Sequence, residues 1–210
     1  MIYTSKLRQL LTAPLLLSLI IALPVSAKTH SVLQPDPIHS QTIVDILTSL
    51  NQDHYNDIVL NDELSGKVLD QYLDSLDPTK AYFYRADITE FQKFRTLIDD
   101  EIKNGELTAA YAIFNRYQLR TQERLEKLIA TLEDSDFKVD FELDETLLTD
   151  REESLWPADE AEMNDFWRKR LKSALLSLKL ADKSVDEAKE VILKRYKSQL
   201  ARAQQTNSED

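Results

Sequence analysis

The sequence contains no cysteine, and only two glycines and six prolines in 210 residues. Without cysteine there are no disulfides, no thiolate nucleophile and no cysteine-based zinc site. Two glycines leave no material for a phosphate-cradling loop, and the composition excludes collagen-like and low-complexity classes. Positive charge is also in short supply: 26 Lys and Arg face 37 Asp and Glu, a net charge of -11. Polyanion binding requires clustered cations to displace counterions, so nucleic acid is not expected as a partner. What remains is a chain that is 42% hydrophobic and 30% charged, enough apolar material for one packed domain whose stability comes from helix packing.

The first 27 residues read as an address. Lys6 and Arg8 precede an apolar run from Leu10 to Val25, and Val25-Ser26-Ala27 follows before Lys28. Cations, apolar stretch and small residues in that order are the layout of a secretory signal peptide, with cleavage expected after Ala27. The alternative is an uncleaved anchor, but the run is shorter than the ~20 residues a spanning helix needs. A lipoprotein is excluded because no cysteine exists to carry the lipid. Cleavage leaves 183 residues with a net charge of -13 and no stable membrane anchor. An exported, cysteine-free, acidic chain fits a bacterial periplasm.

The mature chain has a helical grammar. After Gln34-Pro35-Asp36-Pro37, Ser40 is expected to cap a first helix running to about Tyr55, with Ile43, Val44, Ile46, Leu47 and Leu50 at helical spacing. A second follows Asn61 and carries Leu64, Val68, Leu69, Tyr72, Leu73 and Leu76. It stops at Asp77-Pro78, because the residue before proline is disfavoured in helical geometry. A third is expected from Asp87, with Glu90 completing a capping box, through Ile102 to a cap at Gly105. A fourth runs from about Glu106 to Leu132. Asp159 with Glu162, and Ser184 with Glu187, cap a fifth and a sixth. The expected fold class is therefore all-α, about six helices in an irregular domain. Phe137 to Leu143 alternates apolar and polar residues at the strand period. A lone strand has no ladder partner, so an extended segment laid on the helices is expected. The expected core comprises Ile43, Leu47, Leu69, Leu73, Phe91, Phe94, Phe114, Leu125, Phe166, Trp167, Leu171, Ile192 and Tyr196.

Charge is unevenly distributed. Glu133 to Glu162 holds 13 acidic residues against Lys138 and Arg151, whereas Met163 to Asp210 has 11 basic and seven acidic residues. The acidic stretch reads either as a solvated connector or as a segment that docks on, or screens, a basic surface. Arg168, Lys169 and Lys172 are expected on the outer face of the fifth helix, with Trp167 and Leu171 facing inward.

No residue is nominated as catalytic, cofactor-binding or metal-ligating. His30 and His39 lie near the start of the mature chain. His54, with Asp53 and Asp57 as neighbours, supplies too few ligands for a catalytic zinc site. Neither Ser65-Gly66 nor Gly105 forms the tight turn that exposes a nucleophilic serine. The carboxylates are too many to single out an acid and base without a cleft. A small enzyme with a carboxylate pair of perturbed pKa would need a pocket that sequence does not reveal.

Four stretches, in order, carry a resemblance. They are LDQYLDSLDPTKAYFYRADITEF (Leu69 to Phe91), Leu155-Trp156-Pro157 before a helix bearing Phe166-Trp167, Leu175 to Leu180, and KRYKSQLARAQQTNSED (Lys194 to Asp210). Together they resemble the N-terminal helical domain of bacterial tail-specific proteases, also called carboxy-terminal processing peptidases. The resemblance implies a domain over 40–204, preceded by a signal peptide at 1–27 and a loop at 28–39, with 205–210 beginning the connection to later domains. It also implies that the enzyme's Ser-Lys dyad and PDZ domain lie outside this sequence, so this chain alone is not an enzyme, whereas the full-length relative is a serine-type endopeptidase. The expected sequence status is a truncated product, an incomplete sequence or an isolated domain. Its expected partners are the downstream PDZ and protease domains, an adaptor lipoprotein and protein substrates. The alternative is a free-standing periplasmic helical module that binds a partner without proteolysis.

Overall fold

Seven α-helices and one 3-10 turn account for the regular structure in the computed structural model, which describes residues 32–53 and 59–205. In chain order the helices are α1 (Pro37–Asp53), α2 (Asp62–Leu76), α3 (Arg85–Phe91), α4 (Ile98–Lys103), α5 (Thr108–Glu133), α6 (Glu160–Leu180) and α7 (Val185–Gln205), with the 3-10 turn Gln92–Phe94 between α3 and α4. Among the described residues there is no strand, and the all-α class holds. The signal peptide, His30, His54, Tyr55, Asp57 and residues 206–210 lie outside the described residues.

Local chemistry sets most boundaries. The Asn61 side chain accepts from the Leu64 N–H at the start of α2, Asp159 accepts from Glu162 N–H at the start of α6, and Ser184 and Glu187 bond reciprocally before α7. At α1 the capping residue is Asp36, not Ser40: its Oδ1 accepts from Ile38 N–H at 3.0 Å, and Pro37 occupies the first helical position, where its missing N–H costs nothing.

The third expected helix is broken in three. Asp87 is not its cap but its third residue. Tyr84 holds the capping position, and the Asp87 carboxylate reaches back to the Tyr84 N–H at 3.0 Å. Beyond Phe94 the helix yields to tertiary bonds: Ser65 Oγ on α2 accepts from Ile98 N–H at 3.0 Å, and Arg95 folds over Gly66 to bond Asp70. The bend lays Phe91, Phe94 and Ile98 on one face of α2. The α4 C-terminus closes with the two bonds of a Schellman motif, Glu106 N–H to Glu101 O at 2.7 Å and Gly105 N–H to Ile102 O at 3.1 Å. Gly105 there has φ +70°, and an added Cβ would stand 3.1 Å from the Ser40 carbonyl of α1. Gly105→Ala is therefore expected to cost about 1–2 kcal/mol, from left-handed strain and the crowding of α1, measured as a lowered urea midpoint.

The helices build two cores. Leu69, Leu73, Phe83, Phe91, Phe94, Ile98, Ala109 and Ile113 form the first. Leu125, Leu128 and Leu132 of α5 form the second with Met163, Trp167, Leu171 and Leu175 of α6 and Ala188, Ile192 and Tyr196 of α7. Helix α5 serves both: at 26 residues it is about 39 Å long. It runs antiparallel to α7, as the Gln122–Ala203 and Glu133–Lys197 contacts show. Of the expected core, Ile43, Leu47, Phe114 and Phe166 are only half-buried. Phe166 gives way to Met163 and Trp167 on the neighbouring stripe, and α1, which carries Ile43 and Leu47, packs lightly on α4. Phe137, Val139 and Phe141 lie against the second core without a strand, as the alternation suggested.

Candidate functional site

The two cores meet at a short extended segment, Ala81 to Tyr84. Ala81, Tyr82 and Tyr84 pack on the second core and Phe83 on the first. What holds this wedge is Asp77. Pro78 stops α2 there, and the Asp77 carboxylate, 1% exposed, turns inward. It accepts from the Ala81 N–H at 2.7 Å, the Tyr82 N–H at 3.0 Å, the Phe83 N–H at 3.1 Å and the indole Nε1–H of Trp156 at 3.2 Å. A carboxylate can accept about four such bonds, so Asp77 is saturated. The turn is further closed by Lys80, at φ 51°, whose N–H bonds the Asp77 carbonyl and whose buried ammonium pairs with Asp74 over the face of Trp156.

The rest of the chain is tied to the same turn. Trp167 Nε1–H donates to the Ala81 carbonyl at 2.7 Å, and Arg151 Nε–H donates to the Thr79 carbonyl at 3.0 Å. The Pro157 carbonyl accepts from Arg85 N–H at 2.9 Å. Residues from α2, the acidic connector and α6 thus converge on seven residues of turn. Two of the four stretches singled out in the sequence, Leu69 to Phe91 and Leu155-Trp156-Pro157 with the helix bearing Phe166-Trp167, meet here.

A second polar knot sits one turn further on. Asp87, also 1% exposed, bonds Arg116 and receives Nε–H and Nη2–H of Arg120, each at 3.0 Å. Burial alone would raise its pKa. The bonds from Arg120, the Tyr84 N–H and Arg116 outweigh burial and hold the carboxyl below its ordinary range. Arg116 also takes Glu90, the residue expected to complete a capping box. Nearby, burial pushes the Tyr82 hydroxyl up to about 12, with Tyr117 adding to the effect, so it stays neutral at physiological pH. Buried carboxylates with every acceptor position occupied by fixed donors act as anchors.

The connector is docked on α6 through Glu145. Glu145 pairs with Arg168 and, at 2.9 Å, with Lys172, and Lys172 donates to the Leu143 carbonyl at 2.7 Å. The bonds from Arg168 and Lys172 bring the Glu145 pKa down to about 2. Glu145 thus meets a basic surface of the chain's own α6, while most of the connector's other carboxylates are exposed. Arg170 lies 4.6 Å over the Trp167 ring and Lys169 pairs with Asp165 at 2.7 Å, so the basic cluster is engaged within the chain and not simply solvated. His39 Nδ1 accepts from the Asp36 N–H at 3.0 Å and stands 2.9 Å from the Tyr111 hydroxyl, linking α1 to α5. Ser65 lies within α2, bonded to Ile98 as described. Among the described residues no three His, Asp or Glu side chains converge as metal ligands would.

Sequence reasoning missed the role of Asp77 as an acceptor and the whole Asp87 knot. A signal was present: Arg116, Arg120 and Arg124 recur every four residues on α5, a basic stripe on a helix whose inward positions are mostly apolar.

The chain is a helical domain stitched around a buried Asp-Pro turn at which two of the four matching stretches meet. Residues 46–210 match the model of the tail specific protease N-terminal domain, and the chain belongs to that family. Over 164 residues it is 35% identical to the Tail-specific protease of Haemophilus influenzae, an alignment covering 78% of this chain and 23% of that protein. The chain thus spans less than a quarter of the length of that curated relative.

Proposed function

We propose that this chain is the non-catalytic N-terminal scaffold and docking domain of a periplasmic, serine-type tail-specific protease, exported by a signal peptide cleaved after Ala27. The observation that carries this reading is that the two most deeply buried carboxylates, Asp77 and Asp87, are consumed by structural donors that tie the end of α2, α3, α5 and the connector together. Its polar chemistry goes into holding surfaces in fixed relation, the property a docking body needs. Proteolysis would be supplied by a protease domain with a Ser-Lys dyad and a PDZ domain that recognises substrate ends. An adaptor lipoprotein and protein substrates are further partners of this reading. The test is binding of the purified chain to the separately expressed remainder of a tail-specific protease, followed by titration calorimetry. A saturable one-to-one complex is expected, and the absence of heat and of co-elution up to high micromolar concentration would sink the reading.

A further inference from the structure

Arg124 is the third member of the basic stripe on α5 and the one that no carboxylate bonds. It is only 7% exposed, yet makes no ion pair with any described residue. Two of its five donors are taken, both by neutral oxygens: Nη1–H by Asn164 Oδ1 at 2.9 Å and Nη2–H by the Tyr84 hydroxyl at 3.5 Å. Glu160 acts on it only through space, being itself paired to Lys127 at 2.5 Å. A buried guanidinium without a carboxylate is costly, and it offers a planar fork suited to bidentate binding of one.

Arg124 also stands where two cavities adjoin. One, of about 470 Å³, lies against Tyr82, Tyr84 and the start of α6, and the other, of about 620 Å³, lies between α5, the connector and α6, with Arg124 and Lys127 lining both. The larger has an apolar wall of Leu128, Phe137, Val139, Leu143, Trp167 and Leu171. Its charged lining is five cations to two carboxylates, the reverse of the balance in a chain of net charge -11, whereas the smaller cavity carries three of each sign. Lys138 on its rim makes no ion pair with any described residue, while Arg168 and Lys172 are held by Glu145.

We propose that this trough is a docking site for an extended, acidic and apolar segment of a partner protein. The segment crosses from one cavity to the other, seats a glutamate or aspartate carboxylate on Arg124, and lays apolar neighbours along the Trp167–Leu171 wall. Because Arg124 lines both cavities, a bound chain has space on either side of it, which favours an internal side-chain carboxylate over the end of a chain. The excess of cations around the larger cavity supplies the charge complementarity that selects and steers such a partner. The site stands on its own geometry and is tested without any protease domain, so its failure and that of the scaffold reading are distinguishable.

The probe is a short fluorescein-labelled peptide, amidated at its C-terminus, with one central glutamate flanked by leucine and valine, titrated with the purified chain and followed by fluorescence anisotropy. Saturable binding is expected, weakened at least about tenfold when the glutamate is replaced by glutamine. Arg124→Gln is expected to give a similar loss. Val139→Trp, which fills the apolar end and leaves every cation in place, gives the same loss if Arg124→Gln does not fold. Equal binding of the glutamate and glutamine peptides, wild-type affinity in Val139→Trp, or no saturation would overturn the proposal. Displacement of the probe by decanoate, or by a peptide whose only carboxylate is its C-terminus, as readily as by the parent peptide would also overturn it, and would assign the trough to small or terminal carboxylates.

Discussion

Asp77→Ala is expected to destabilise the domain by at least about 4 kcal/mol, enough to unfold much of it at physiological temperature. The substitution removes the acceptor of four N–H groups, and each orphaned buried donor costs about 1–3 kcal/mol, with incomplete additivity. Net stabilities of domains are about 5–15 kcal/mol, so one side chain decides whether the two cores stay joined. The chain has two tryptophans, and both donate to this turn, Trp156 to Asp77 and Trp167 to the Ala81 carbonyl. Tryptophan emission therefore reports on the junction itself. The expected result is a red-shifted emission in Asp77→Ala under conditions where far-ultraviolet circular dichroism still shows helix, with a urea midpoint shifted in proportion to the loss. A cost below about 1.5 kcal/mol, in the range of one ordinary hydrogen bond, would mean the wedge is held by packing alone.

The second large effect is expected at Asp87. Its carboxyl sits below its ordinary range because Arg120, the Tyr84 N–H and Arg116 favour the charged form more strongly than burial opposes it. A carboxylate depressed on folding contributes stability that is fully present above the unfolded pKa, near 3.8, and is lost as pH falls through the lower folded value. Asp87→Asn is thus expected to cost about 2–4 kcal/mol at pH 7, because two partly buried guanidinium groups lose the buried counter-ion they share and keep only the more exposed Glu90 and Glu123. The penalty should shrink as the pH is lowered below about 4, where the wild type loses the same interaction. Urea titrations of both proteins at pH 7, 5, 4 and 3 check this. A penalty that is constant with pH would show that the knot acts by shape and not by charge.

Much of the architecture was legible in the sequence because it is set locally. Asn61, Asp159 and Ser184 cap helices as side chains of their type do, Gly105 supplies the left-handed residue a Schellman motif requires, and Asp77-Pro78 ends α2 by the sterics of proline. The break between Phe94 and Ile98 was not legible. The run from Asp87 to Ile102 keeps helical spacing, and only the tertiary bonds of Ser65 and Arg95 across to α2 interrupt it. Phe166 and Trp167 are neighbours on one helix, and spacing alone does not say which faces the core. The candidate site was half visible. The Asp-Pro turn stood out as the stop of α2, but that one carboxylate gathers donors from residues up to 79 positions away is a property of the folded chain. Arg124 is the clearest case: its place in a four-residue stripe could be read, whereas its burial without a carboxylate partner depends on Asp87 having taken Arg116 and Arg120.

The central claim, that this domain docks and positions without cleaving, is tested most directly by a peptidase assay. The purified chain from Lys28 onward is incubated with an unfolded protein substrate, alone and together with the separately expressed protease-bearing remainder of a tail-specific protease. The account predicts no cleavage by the chain alone and an increased rate when both parts are present. Cleavage by the chain alone, surviving removal of host proteases and unchanged by inhibitors of the supplied remainder, would contradict it.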